Sequence, residues 1–343
     1  MFGMASQALH EPQRSEHQAV SELTVHPSLL YLRPRVFLRT RGSANMTDRD
    51  EVKQHWLRQN ERRHIRNLPR WAKVRIEKKA AKWLGKACKV SVPLFWGQEM
   101  SVVFPEFVSG RLGKFGYFED DVTSMFIDCL EPGMTFYDVG SHYGYFSLLA
   151  SSLVGPKGHV FAFEPTAATY EVLTENAARR DNITCCKVAA YRTTGPLGFI
   201  EQDVGRSSLN FVIGEGYEPD PVDHLTRETM VPAIKLDDFA HLHGEPDFLK
   251  IDTEGAEIPV LEGLIDTIRR CHPTIVLEMG DHVCSSTGNG LSRRNVDFLL
   301  NHGYEVFEYR NRDRHRHVPC DRYSYTNLLF RHPTRMKRSR IAK

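Results

Sequence analysis

One strand–helix–strand stretch constrains this chain more than any other. Between Met134 and Pro165 an apolar strand runs into Asp138-Val139-Gly140-Ser141-His142-Tyr143-Gly144, a helix follows, and a second strand ends in Phe163-Glu164-Pro165. The small residues Gly140, Ser141 and Gly144 let a ligand approach the backbone of a tight turn. One strand later, Glu164 stands where a carboxylate can grip two ribose hydroxyls. Pro165 fixes the exit direction and keeps that carboxylate near the crevice. Together they predict a nucleotide-type site on an α/β sheet.

The flanking sequence repeats the same alternation. Strands are expected at Thr135–Val139, His159–Phe163, Ile183–Tyr191, Phe248–Ile251 and Thr274–Glu278, with helices at Gly144–Leu153, Ala167–Arg180, Ala256–Arg270 and Arg293–Asn301. Tyr304–Tyr309 and Thr326–Phe330 read as two closing strands, and Leu197–Gln202 as an extra β element. Residues 91–119 read as short strands, Val92–Trp96 and Met100–Phe104, entering the domain, and Asp121–Leu130 as a helix ended near Pro132-Gly133. Residues 205–230 are Gly/Pro-rich and poorly periodic, which suits a loop or lid; Ser207-Ser208-Leu209 reads as part of it rather than as a nucleophile. Short buried strands alternating with helices imply an α/β fold with a largely parallel sheet, whose ligands gather beyond the carboxyl ends of the strands.

The 343 residues suffice for one large α/β domain plus appendages, and no run approaches the roughly 18 apolar residues of a membrane helix. Met1–Glu22 shows no sustained apolar stretch of the signal-peptide kind, and the seven cysteines form no CxxC, which fits thiols in a reducing, cytoplasmic setting. Charge is unevenly shared. Residues 51–90 hold 13 Lys/Arg against 3 Asp/Glu, and residues 331–343 hold 6 Lys/Arg and no acid. Residues 91–330 hold 20 Lys/Arg against 35 Asp/Glu, a net of −15. Four regions follow: a flexible extension at 1–46, a basic helical appendage at 47–90, the main domain at 91–330 and a basic tail at 331–343. Within the appendage, Thr47–Asn67 and Trp71–Cys88 read as helices. The second has Ala72, Ile76, Ala80, Trp83, Leu84 and Ala87 broadly on one side, with Lys73, Lys78, Lys79, Lys82 and Lys86 around the rest. It reads as a helix packed on the body with its lysines in water, or as a peripheral membrane contact through residues 71–88. Nucleic acid is disfavoured, because no recognition module or stacking platform accompanies the charge. Oligomeric state leaves no mark.

Three cofactor classes compete for the Gly140 turn. A P-loop needs GxxxxGK[ST], which is absent at the first strand. A dinucleotide turn has GxGxxG for close passage of a pyrophosphate, whereas here His142 fills the place of the middle glycine. S-adenosylmethionine has no pyrophosphate, yet still needs a ribose carboxylate and a turn for its amino-acid end. The motif favours that methyl donor over NAD.

At this point the chain resembles the FkbM family of class I S-adenosylmethionine-dependent methyltransferases, over roughly residues 92–330. The resemblance is carried by Gly116-Tyr117-Phe118-Glu119, Pro132-Gly133, Asp138–Ser147, Ala162-Phe163-Glu164-Pro165, Leu249-Lys250-Ile251-Asp252-Thr253-Glu254-Gly255-Ala256-Glu257, and Glu278 after Ile275-Val276-Leu277. His142 departs from the asparagine common in the family. The resemblance implies a Rossmann-like, mostly parallel seven-stranded sheet with an antiparallel closing strand. It also implies methyl transfer, usually to oxygen, on a small-molecule or glycan acceptor such as a sugar, glycolipid or secondary-metabolite hydroxyl. Under it, Asp138, Gly140, Ser141, His142 and Gly144 lie near the methionine end, Glu164 and Pro165 at the ribose, and Glu119 near the methionine ammonium. Ala189 and Ala190 border the adenine. Asp252, Glu254, Glu257 and Glu278 face the acceptor, with Asp252, Glu278, His282 and His142 as candidates for orienting or deprotonating it. Glu254 and Glu257 serve alternatively as first-turn acids of the next helix. A divalent metal on Asp252, Glu278 and His282 is left open. The rival readings are a non-catalytic protein on the same fold, a protein or nucleic-acid methyltransferase, and an NAD-dependent oxidoreductase.

Overall fold

The computed structural model describes residues 48–61, 68–84, 86–202, 207–208, 210–213, 226–281 and 291–335. The expected extension at 1–46, His282 and most of the tail lie outside them. Helix α1 (Asp48–Glu61) opens on Asp48, Asp50 and Glu51, acids that suit the positive end of a helix. It is built into the domain: Val52 and Trp56 are buried in the same cluster as Leu149 and Phe126. Helix α2 (Leu68–Leu84) follows, then an antiparallel hairpin of β1 (Cys88–Pro93) and β2 (Glu99–Phe104).

Helix α3 (Phe107–Phe115) departs from the short strands expected over residues 91–119, and it forms despite Gly110 and Gly113, which disfavour a helix interior. Its first turn is held by Glu106, whose carboxylate accepts from the Val108 and Ser109 amides at 2.6 Å each. The glycines serve packing. A Cβ on Gly113 would lie 2.7 Å from Cγ2 of Val74, so α2 seats against a bare stripe of α3. This seating also reverses the expected face of α2: Val74 is buried, whereas Ile76 and Trp83 are 68% and 87% exposed.

After α4 (Asp120–Cys129) the βα alternation runs as expected through β3 (Thr135–Val139), α5 (Tyr145–Val154), β4 (His159–Phe163) and α6 (Ala167–Ala177). The predicted strand over 183–191 is divided, into β5 (Ile183–Cys186) and β6 (Ala189–Tyr191), which join different sheets. Next come β7 (Gly195–Gln202), β8 (Phe211–Val212), β9 (Thr226–Lys235) and α7 (Leu236–His243), the last three not foreseen. The chain returns through β10 (Phe248–Ile251), α8 (Glu257–Glu262), α9 (Ile265–Cys271), β11 (Thr274–Met279) and α10 (Leu291–Asn301). It closes with β12 (Glu305–Arg310), β13 (Asp313–Arg316) and β14 (Thr326–Arg331).

The main sheet has the order β13-β12-β14-β11-β10-β3-β4-β5. The five strands from β11 to β5 are parallel, and β14 runs antiparallel between β11 and β12. This is the Rossmann-like class I arrangement with its antiparallel closing strand, extended by an eighth strand, β13, on the outer edge. Alternation sorts the two faces. Tyr137, Val139, Leu249 and Ile251 enter one buried cluster, while Phe136 and Phe248 enter the other. Asp138 and Lys250 therefore project from the Phe136/Phe248 face, and the β3–β10 register sets them opposite each other. Two polar residues share one buried level of the sheet, just below the strand ends.

A smaller sheet, β6-β9-β7-β8, packs Ala189, Phe199, Val212 and Val231 around Ala256 at the same end of the molecule. Pro232 is a residue that disfavours a strand interior. In the structure it faces Pro196 across the β7–β9 ladder, so both missing donors fall at a single register position.

Candidate active site

The Gly140 turn and Glu164 form one unit. The His142 amide donates to Glu164 Oε2 at 3.0 Å, while Oε1 accepts from the Thr166 amide at 3.0 Å and from Thr169 Oγ1 at 2.7 Å. The Gly140 and Ser141 amides both reach the Phe163 carbonyl, and Ser141 Oγ donates to the same atom. Glu164 is 6% exposed. Burial pushes its carboxyl up, and the Thr169, Thr166 and His142 donors pull the other way. Oε2 has taken one protein donor and retains lone-pair capacity for a ligand hydroxyl.

Gly140 sits at φ +80°, and a Cβ there would lie 1.8 Å from the carbonyl oxygen of Asp252. Gly144 sits at φ +89° ahead of α5, with Leu173 Cδ1 2.6 Å from where its Cβ would be. Both positions need glycine for the turn itself, and Gly144 does not border the cavity. That cavity, of about 300 Å³, is bordered by Gly140, Ser141, His142, Glu164 and Pro165 on one side and by Asp252, Glu254 and Glu278 on another. Val188, Ala189 and Ala190, with Phe199 and Val212, give it an apolar slot.

The acidic side is organised by Lys250, a 2%-exposed lysine in a buried strand. Its Nζ pairs with Asp252 Oδ2 at 2.5 Å and lies 5.0 Å from the centre of the Phe146 ring. Burial disfavours the ammonium, but Asp252, Glu119 and Asp138 together raise its pKa well above the usual lysine value. Burial likewise works against ionised Asp252, yet Lys250 and a hydrogen bond with Glu278 hold it below the ordinary carboxylate value. Glu278 moves the opposite way: burial, then the charge of Asp252 and the bond between them, raise it well above the carboxylate range. Glu254 is also raised well above it, by burial and by the Asp252 and Glu257 charges. Thus Asp252 stands as the anion, and Glu278 carries the proton of the pair.

The other candidates fall into distinct places. Asp138 is buried behind the turn, with Oδ2 accepting from Ser147 Oγ at 2.5 Å and Oδ1 lacking a protein partner. Burial pushes it up to about 6. Glu119 does not border the cavity; its Oε1 accepts from Tyr325 Oη and from Asn327 Nδ2, and Oε2 is buried without a hydrogen bond. His142 borders the cavity, but burial drives its imidazole down to about 3, and Nε2 lies 3.0 Å from Ser207 Oγ. That is a neutral ring already engaged, a poor fit to the base expected there. Glu257 is the residue that closes the Thr253–Gly255 turn, accepting from both of those amides at 3.1 Å. Glu254, at φ +51°, is thereby left to face the cavity. Asp252, Glu254 and Glu278 offer oxygens within 4.8 Å of one another, a spacing that a divalent ion could use.

Sequence reading gave no role to Lys250 or Tyr325, and placed Ser207 only as part of a loop over the site. For Lys250 a signal existed: a lysine inside Phe248-Leu249-Lys250-Ile251 has to be paired if that strand is buried. Tyr325 and Ser207 reach the site from distant loops, and nothing local marks them.

The donor set fits S-adenosylmethionine. Glu164 has acceptor capacity left for ribose hydroxyls and the Val188–Ala190 slot is apolar, while Asp138, whose Oδ1 is buried without a hydrogen bond, lies behind the turn and does not border the cavity. Residues 138–306 match the methyltransferase FkbM domain model. Over 162 residues the chain is 26% identical to the hexuronic acid methyltransferase AglP of Haloferax volcanii, covering 46% of this chain and 61% of that one. Over 153 residues it is 28% identical to the methyltransferase sdnD of Sordaria araneosa, covering 37% and 59% respectively. The chain thus spans about three-fifths of the length of these relatives. Among solved structures, methyltransferase FkbM from Methylobacillus flagellatus aligns with a TM-score of 0.36 at 16% identity, covering 65% of this chain and 52% of that one. Residues 138–306 are thus an FkbM methyltransferase domain, with S-adenosylmethionine as its cofactor.

Proposed function

We propose that this protein transfers a methyl group from S-adenosylmethionine to a hydroxyl oxygen on a sugar, glycolipid or secondary metabolite. The observation that carries this reading is the meeting, in one cavity, of the Gly140–Glu164 unit and the acidic ends of β10 and β11. When bound, the cofactor supplies an electrophilic methyl on a sulfonium. Glu164 accepts the ribose hydroxyls, and the Val188–Ala190 slot receives the adenine. Asp252, fixed by Lys250, orients the acceptor hydroxyl for in-line attack. As the new carbon–oxygen bond forms and the carbon–sulfur bond breaks, the hydroxyl proton passes to the ionised form of Glu254, whose raised pKa makes it a stronger base than Asp252.

The charge of the cavity favours a hydroxyl over a carboxylate as the acceptor. Among the described residues bordering it, the sole cation is Lys250, already paired with Asp252. A uronate carboxylate would meet Asp252, Glu254 and Glu278 without a counter-charge. The sugar reading is supported by the hexuronic acid named for the Haloferax volcanii relative; the neutral-hydroxyl reading is supported by this lining.

Isotope-labelled methyl donor, offered with panels of sugars, glycolipids and hydroxylated metabolites, is expected to leave label in a base-stable ether. Glu254→Gln is expected to slow transfer by about 100-fold or more while sparing affinity for S-adenosylhomocysteine. Saturable cofactor binding with no transfer to any panel would support a binding protein on this fold instead.

A further inference from the structure

The outward face of α2 is amphipathic in an unusual sense, with its apolar residues pointing to solvent. Ile76, Lys79 and Trp83 fall at i, i+3 and i+7 on one face, opposite the buried Val74. Ile76 is 68% and Trp83 87% exposed, and Arg75, Lys79 and Lys86 are exposed around them. Two large apolar side chains on one basic face are not normally offered together to water.

The way α2 lies on α3 fixes where this face sits. Arg70 is beside Gly116 and donates to the Pro93 carbonyl, Val74 is beside Gly113, and Lys78 is beside Gly110. Each turn forward along α2 therefore meets the turn one earlier along α3, so the two helices run antiparallel. The next turn of α2, which carries Trp83, comes level with the start of α3. There Phe107 is 62% exposed and borders the cavity.

We propose that α2 and the start of α3 form a docking surface for an anionic lipid bilayer, with Trp83, Ile76 and Phe107 entering the interface and Arg75, Lys79 and Lys86 meeting lipid headgroups. Charge complementarity selects this occupant. A second copy of the chain would bring like charges together, and a nucleic acid would leave Ile76 and Trp83 unsatisfied between its phosphates. A bilayer interface takes both halves, with tryptophan at the acyl boundary and cations at the phosphate level. No described helix is long and apolar enough to cross a membrane, so the contact is peripheral. The surface stands independently of methyl transfer.

Co-sedimentation of the full chain with vesicles tests it without any turnover. We expect retention on phosphatidylcholine–phosphatidylglycerol vesicles, little on phosphatidylcholine alone, and release as salt is raised from about 0.1 M to about 1 M. Lys79→Gln and Lys86→Gln should each weaken partitioning about fivefold, and the Ile76→Ser/Trp83→Ser pair by about tenfold or more. Tryptophan emission should shift to the blue on vesicles in the parent and lose that shift in Trp83→Phe. These side chains are exposed, so unchanged circular dichroism verifies that the variants fold. Three results would each overturn the proposal: a parent chain that stays in the supernatant with anionic vesicles, an Ile76/Trp83 variant that binds them as tightly as the parent, or retention on RNA that is stronger than on vesicles and indifferent to Trp83.

Discussion

Glu164 holds three protein donors before any ligand arrives, and those bonds decide what its replacement should do. The carboxylate ties the His142 amide of the turn to the Thr166 amide and Thr169 hydroxyl that start α6. A glutamine can keep one carbonyl acceptor but presents an amide donor where a second acceptor is needed. Glu164→Gln is expected to weaken S-adenosylhomocysteine binding by about ten- to a hundredfold, the scale of one charged hydrogen bond. Calorimetric titration measures this, and a melt of the ligand-free variant separates lost binding from lost folding. Unchanged affinity would remove the ribose assignment. At this scale the sequence was informative about chemistry and less so about cause. Gly140 reads as room for a ligand, whereas its nearest claimant is the Asp252 carbonyl 1.8 Å from a would-be Cβ. His142 reads as a base, and burial makes it a neutral partner of Ser207. A residue's type is visible in the sequence; the element from another part of the chain that buries it is not.

The ends of β3, β10 and β11 behave as a group, because Asp138 and Asp252 face one ammonium and Glu278 bonds to Asp252. Asp138 is raised to about 6, chiefly by burial, and Glu278 and Glu254 are raised well above the ordinary carboxylate value by burial and by Asp252. Groups that hold protons more tightly folded than unfolded contribute stability that is complete below their unfolded pKa values and is lost as pH rises through the folded ones. Asp252 has the opposite sign: its contribution is present near neutrality and fades as pH falls below the carboxylate range. The ligand-free protein is therefore expected to melt at a lower temperature as pH rises from about 6.5 to about 8, above the range in which the buried His142 contributes with the opposite sign, at roughly 2–4 °C per kcal/mol lost. Glu278→Gln, which needs no proton, should flatten that slope in a scanning calorimetry series, and an equally steep slope would remove Glu278 from the account. The strands that carry this group were legible because buried parallel strands are short apolar runs between helices. Helix α3 and strand β9 were not. Gly110 and Gly113 are there to admit α2, and Pro232 is tolerated opposite Pro196, so in each case the local signal reports a partner rather than the element itself.

Taken as a whole, the molecule is closed by contacts between its first described helix and its last hairpin. The indole of Trp56 lies 4.8 Å from the Phe95 ring and 5.1 Å from Tyr117, and its Nε1 donates to Ser124 Oγ at 3.3 Å. Arg312, from the β12–β13 turn, stacks its guanidinium 3.8 Å from the Trp56 ring centre and pairs with Asp120 at 2.8 Å. The composition of residues 47–90 suggested an appendage because charge dominates it. Charge, however, describes the solvent face of a helix, and two apolar residues, Val52 and Trp56, suffice to anchor α1 from the other side. Such a tie spans more than two hundred residues of sequence, and no periodicity within α1 announces its partner. If α1 belongs to the core, truncating Trp56 should cost what a buried aromatic costs anywhere else in it. Trp56→Ala is expected to lower the free energy of unfolding by about 3–5 kcal/mol, through lost transfer energy and the cavity left between Phe95, Tyr117 and Arg312. Urea denaturation followed by circular dichroism measures the loss. An α1 that merely rests on the domain would give less than about 1 kcal/mol, in the range of surface substitutions. Because Arg312 would lose its ring and keep Asp120, combining Trp56→Ala with Arg312→Ala should destabilise by less than the sum of the two single changes, a coupling expected only where the two residues touch.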